Sequence, residues 1–118
     1  MPTENPRRRL ADIRDNADRI AAHVAGMDRQ AFLSDQKTLD AVERCLERIA
    51  EAARRIGDRF DARYPQLELV KLRRFGSVLR HDYESILPES LWVYVNDDVP
   101  AIRQMAEAEI ARIDAGES

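Results

Sequence analysis

Lys71 to Tyr83, KLRRFGSVLRHDY, is the stretch of this 118-residue chain whose side chains could do chemistry. It holds one of the two histidines, His81, and the cations Lys71, Arg73, Arg74 and Arg80, with no acid before Asp82. An imidazole titrates near neutral pH and can take up and return a proton. A guanidinium carries a permanent charge on a planar fork that fits phosphate oxygens. At 100° per residue Arg74, Ser77 and His81 fall at i, i+3 and i+7, so a cation, a hydroxyl and an imidazole line about two turns of one helix face. Leu69, Leu72, Phe75, Leu79, Tyr83 and Ile86 fall on or near a second stripe, as a core-facing helix requires. Spacing alone favours a plainer reading, in which Arg74, Arg80 and His81 are the solvated face of that helix.

The elements that must position this stretch follow from apolar spacing. Pro2 and Pro6 oppose regular structure, which leaves residues 1–8 as a loose arm. Leu10, Ile13, Ala17, Ile20 and Val24 then repeat at 3-4-3-4, predicting a first helix that stops near Gly26, with His23 at its C-terminal end in a role of local stabilisation. Asp28 caps a short turn, after which Phe32 and Leu33 plug one end of the core. Ser34 or Asp35 starts the second helix, whose seam is Leu39, Val42, Leu46, Ile49, Ala53 and Ile56. Ala50, Ala52 and Ala53 are small enough to let a neighbouring helix approach closely. Glu51 is an exposed carboxylate by default, and Cys45 reads as a small core residue.

Asp58 to Pro65 is a connection, and the Arg74/His81 helix follows from about Leu67, either interrupted near Gly76 or running on towards Tyr83. Pro88 opens a fourth helix carrying Leu91, Trp92, Val95 and Val99. Pro100 predicts a kink or break, with caps from Asn96, Asp97 and Asp98. Ile102, Met105, Ala106, Ile110 and Ile113 form the face of the last helix, and residues 115–118 are a second loose end. The whole of 1–118 is one domain, an all-α antiparallel up-and-down bundle of four or five helices with Leu39, Leu46, Ile49, Leu72, Leu79, Trp92 and Ile102 buried together.

Composition narrows the function classes. The net charge of −3 gives no global nucleic-acid signature, so an RNA contact has to come from a local patch, and Lys71 to Arg80 is that patch. A single cysteine excludes an intramolecular disulfide and a Cys-based zinc site. Neither carboxylates nor histidines cluster as metal ligands do, so no metal and no cofactor are expected. No apolar run approaches the ~18 residues of a spanning helix, and the first residues lack a signal peptide's apolar segment, so the expected location is cytoplasmic with no membrane contact.

Arg74, six residues, His81, any residue and Tyr83 resembles the Arg-x(4–6)-His-x-Tyr motif of the HepT-like branch of the HEPN ribonucleases. LADIRDNADRI, GMDRQAFLSDQKTLDAVERCLERIAEAARRI and LW-x-x-V-x-x-DVP are similar to the same branch, so the resemblance spans roughly Leu10 to Arg112. Glu51-Ala-Ala resembles its Gly-Glu-Ala segment, which implies a packing or network role for Glu51. The chain departs from the usual pattern where an Arg five positions before the His, followed by a polar residue, is replaced by Gly76 and Ser77. Arg74 meets the longest permitted spacing, and Arg80 is the adjacent candidate.

The resemblance implies a HEPN-like bundle acting as the toxin of a type VII toxin–antitoxin pair, a metal-independent endoribonuclease. It implies a homodimer that gathers two sets of Arg74 and His81 in one cleft, with Arg73, Arg80, Ser77 and Lys71 available to hold RNA phosphates. It also implies that a nucleotidyltransferase antitoxin adds AMP to Tyr83, placing a bulky anion beside His81. Structurally, Tyr83 reads instead as a core-stripe aromatic whose hydroxyl reaches the surface. The competing function class is a catalytically decayed dimer that binds a protein or nucleotide, and a plain helical regulator is a third.

Overall fold

Capping and proline chemistry set where each helix begins. The computed structural model describes residues 4–117. Helix α1 spans Pro6–Val24, with the Asn5 side chain accepting from the Arg8 amide at 3.2 Å. Pro6 to Arg8, expected in a loose arm, are instead its first turn, because a proline at the first helical position lacks an N–H that would have no partner there anyway. Residues 1–3 and Ser118 of the expected loose ends lie outside the described residues. At the other end Ala115 to Glu117 leave the helix through Gly116 at φ +83°.

Asp28 caps the five-residue α2, Arg29–Leu33, and Asp35 caps α3, Gln36–Ile56, each accepting from the backbone amide three residues on. Phe32 is fully buried at one end of the core against Trp92, ring centroids 5.2 Å apart. Gly57 at φ +74° ends α3. After a turn at Pro65–Leu67, the motif helix α4 runs without interruption from Leu69–His81. A second 3-10 turn, Tyr83–Ser85, leads to α5 at Pro88–Val93.

Pro100 does not break the chain's last rod. Tyr94–Asp98 widens into a π-helical segment and α6 follows directly over Val99–Asp114. A proline inside a helix crowds the carbonyl four residues earlier, and a π segment widens the backbone at that place. The side chain of Asn96 donates to the Trp92 carbonyl at 2.7 Å, so Asn96, Asp97 and Asp98 serve inside the rod and not as caps.

In space the long helices lie in the order α4, α3, α1, α6. Ion pairs fix the register of α1 against α6: Arg7 meets Asp114, Arg14 meets Glu107 and Asp18 meets Arg103, so the two run antiparallel. Such exposed pairs contribute about 0–1 kcal/mol each and report geometry more than stability. The core comes from apolar seams, with Leu10, Ile13, Leu46, Ile49, Leu72 and Leu91 nearly inaccessible. Leu39, Leu79 and Ile102 are buried as expected, whereas Trp92 is only partly buried and Leu91 takes its place inside. Among the described residues there is no strand, so the architecture is an all-α bundle.

Candidate active site

Helix α4 is held from three directions, and that decides what its remaining face presents. Leu69, Leu72 and Leu79 are buried. Gly76 is buried too, and a Cβ built on it would lie 3.0 Å from the Ala50 Cβ, so α4 and α3 pack nearly backbone to backbone there. Arg73 grips the preceding connection: its guanidinium donates to Asp61 at 2.7 and 2.9 Å and to the Gly57 carbonyl at 3.0 Å. Those hydrogen bonds hold the Asp61 carboxyl below the usual carboxylate range. Arg73, expected among the phosphate ligands, here ties α4 to the connection through these bonds.

The connection is also latched to α6. Glu109, 2% exposed, accepts from Arg63 and from the Tyr64 hydroxyl, each at 2.6 Å. Burial, and then the bond to Glu109, push the Tyr64 hydroxyl pKa up. The sequence contained a signal for this latch. Glu109 interrupts the apolar seam between Ala106 and Ile110, and a buried carboxylate requires a partner.

Opposite the core, Val70, Arg74, Ser77 and His81 form one outward stripe at i, i+4, i+7 and i+11, all exposed. The three expected on one face are thus on one face. Seven residues at 1.5 Å rise put Arg74 and His81 about 10 Å apart along the axis. Lys71, also exposed, pairs with Glu68 at 3.1 Å. Tyr83 is corrected: it lies in the turn after α4, 55% exposed, and not on the core stripe.

The two candidate arginines face different grooves. Arg74 and Lys71 border an apolar groove of about 670 Å³ between α4 and α5, walled by Phe75, Val78, Leu87 and Tyr94. Arg80 turns the other way. Its Nη1 lies 3.4 Å from the Cβ position of Gly76 and 3.9 Å from Glu51 Oε1, at the end of a charged groove between α1 and α3. Glu51 is no idle exposed carboxylate: bonds from Arg54 and then Arg55 draw its pKa down to about 2. Cys45 is buried, and burial pushes its thiol up, away from a reactive thiolate. Among the described residues no group of three or more His, Cys, Asp or Glu is placed to hold a metal ion. No helix among them is long and apolar enough to cross a membrane.

Comparison with known proteins decides the family. The profile described as Ribonuclease HepT-like matches residues 13–109, most of the chain and all of the site. The chain belongs to the HepT-like ribonuclease family. It is 36% identical over 100 residues to a Methanocaldococcus jannaschii protein named as a candidate RNase, covering 85% of this chain and 83% of that one. It is 31% identical over 94 residues to the probable ribonuclease HepT of Thermococcus cleftensis, covering 80% and 86%. A second M. jannaschii protein named as a candidate RNase is 31% identical over 98 residues, covering 83% and 90%. No solved structure matches significantly. Gly76, where the resemblance sets an arginine, packs against Ala50, and Arg80 reaches back over it.

Proposed function

We propose that this chain is a metal-independent endoribonuclease and the toxin of a toxin–antitoxin pair. His81 and Arg74 carry the cleavage, and AMP added to Tyr83 by a nucleotidyltransferase antitoxin silences it. The observation that carries the reading is the outward stripe of α4, where Arg74, Ser77 and His81 are all exposed on the face turned from the core. Family membership supplies the substrate class.

Cleavage at a ribose needs a base for the 2′-hydroxyl proton, a cation for the charge building on phosphorus, and an acid for the leaving oxygen. One α4 provides one imidazole, so a single chain is short of a proton-transfer group. A two-fold dimer that sets this stripe against its copy gathers two imidazoles and two guanidinia around one phosphate, and the ~10 Å between Arg74 and His81 is bridged from the opposite helix. Val70, 43% exposed on the same stripe, gives that contact an apolar start. Lys71, Ser77 and Arg80 are left to hold neighbouring phosphates. Tyr83 follows His81 by two residues with its ring open to solvent, so an enzyme can reach it, and a phosphoryl group there repels RNA from the cleft.

The test is to mix native protein with increasing shares of His81→Ala protein under conditions that exchange subunits. A cleft that needs both imidazoles loses activity as the square of the native share, whereas a site complete in one chain loses it in direct proportion. Light scattering that finds only monomer at micromolar concentration, with the native protein still cleaving RNA, would remove the dimer from this reading.

A further inference from the structure

The apolar groove beside Arg74 is lined by three polar side chains that the rest of the fold leaves unanswered. It encloses about 670 Å³, a size usual for small-molecule sites, and Leu72 and Leu91 give it a buried apolar floor. Phe75 of α4 and Tyr94 of the π segment both line it, their ring centroids 5.5 Å apart and their planes tilted by 55°. Lys71 on the rim is taken up by Glu68 at 3.1 Å. Arg74 has no ion pair among the described residues, and neither Asp98 nor the Tyr94 hydroxyl has a hydrogen-bond partner among them. Both can be reached from outside: Asp98 is exposed, and the Tyr94 hydroxyl is not sealed from solvent.

Tyr94 and Asp98 are four residues apart in the π segment, so they stand one turn apart on one face of the rod. Segments of this kind are frequent at functional sites. Burial, and then the charge of Asp98, push the Tyr94 hydroxyl up, so it stays protonated and can donate. Burial, and then repulsion from Asp97 and Glu68, push the Asp98 carboxyl up, as befits a carboxylate that no cation answers. An apolar protein segment laid in this groove would bury the guanidinium, the phenol and the carboxylate unpaired, which is unfavourable. The fitting occupant has a flat body for the two rings, an acceptor beside two donors along one edge, and an anion for Arg74. Guanine on a phosphodiester strand has them all, since its O6 accepts while N1–H and the 2-amino group donate. Adenine and cytosine offer a carboxylate one donor at that edge, and uracil's single donor lies between two acceptors.

The geometry points to this groove as a guanine pocket for the nucleotide next to the cut. The base lies against Phe75 and Tyr94, the Tyr94 hydroxyl donates to O6, Asp98 accepts from N1–H and the 2-amino group, and Arg74 holds the attached phosphate. The inference rests on the ribonuclease reading and deepens it, because Arg74 borders both this groove and the outward stripe that carries His81.

Fluorescence anisotropy tests it on a His81→Ala background, so that no strand is cut. Two labelled uridylate nonamers are compared, with guanosine or inosine at the centre, which differ only in the 2-amino group. The parent is expected to bind the guanosine strand about tenfold more tightly, the effect of one hydrogen bond to a charged acceptor. Asp98→Ala is expected to bring the two strands within about twofold of each other. Loss of a charge acts on both strands alike, so their ratio reports the pocket. Asp98 is exposed and its side chain makes no capping hydrogen bond, so the variant keeps the fold. Equal affinities in the parent, no binding by the parent, or a preference that survives Asp98→Ala each overturns the pocket. Cleavage by the native protein is scored separately, so a failed pocket with RNA still cut leaves the ribonuclease reading standing. RNA uncut by the native protein, with the ratio behaving as stated, does the reverse.

Discussion

Replacing Gly76 by alanine sets two effects of known size against each other. Alanine in a helix interior is favoured over glycine by about 1 kcal/mol. The new methyl, however, meets the Ala50 Cβ at 3.0 Å, and that atom is fixed to the α3 backbone and cannot rotate away. The helices must then part, and overpacking of this kind costs about 1–3 kcal/mol. The expected net effect is a loss of about 1 kcal/mol, near 4 °C in Tm for a domain of this size. Ala50→Gly alone loses about 1 kcal/mol of helix propensity. In the double variant the methyl has only changed helices, so it should melt close to the native protein, a coupling of about 2 kcal/mol in the cycle. Thermal and urea melts of all four proteins measure it. A Gly76→Ala protein more stable than native by the full propensity gain would mean that the α3–α4 contact is slack. The account of why glycine occupies this motif position would then fail.

Other expectations follow from the same geometry. Arg73→Ala frees the partly buried Asp61 from its bidentate partner and should cost about 1–3 kcal/mol in urea melts, where a purely solvated arginine would cost nothing. Glu51 binds protons less readily folded than unfolded, so its contribution is present above its ordinary pKa of 4.5 and is lost as pH falls towards about 2. Glu51→Gln should flatten the stability profile across that window, and an unchanged acid limb would contradict the network. Arg74→Ala should slow RNA cleavage on the order of 10²-fold, and if Arg80→Ala does so while Arg74→Ala is neutral, the guanidinium over Gly76 is the phosphate donor. Tyr83→Phe should cleave RNA normally and escape the antitoxin, which growth of cells expressing both proteins would report.

Much of the bundle was legible because its seams are regular. The 3-4 spacing from Leu10 to Val24 and from Leu39 to Ile56 dictated two long helices, and Asp28, Asp35 and Pro88 marked starts that the structure keeps. Ala50 as a point of close helix approach was legible too, though its partner, Gly76, was not, because side-chain size says nothing about which helix comes near. Pro6 misled because position mattered more than type, since it sits at a helix's first residue; of the kink or break expected at Pro100 the break is absent, and a π segment stands just before it. In the site, helical periodicity placed Arg74, Ser77 and His81 on one face. It could not reveal that Arg73, one residue from Arg74, turns to Asp61, since that contact depends on the path of an irregular connection. Glu109 in the α6 seam carried a usable signal, a polar residue at an apolar position.

RNA incubated with purified protein in EDTA, native beside His81→Ala, addresses the central claim most directly. His81 is exposed and its removal should leave stability within about 0.5 kcal/mol of native, so lost activity reports chemistry and not unfolding. Cleavage by the native protein and none by His81→Ala is the expected result. Undiminished cleavage by His81→Ala would contradict the assignment of the imidazole, and with it the proposed mechanism.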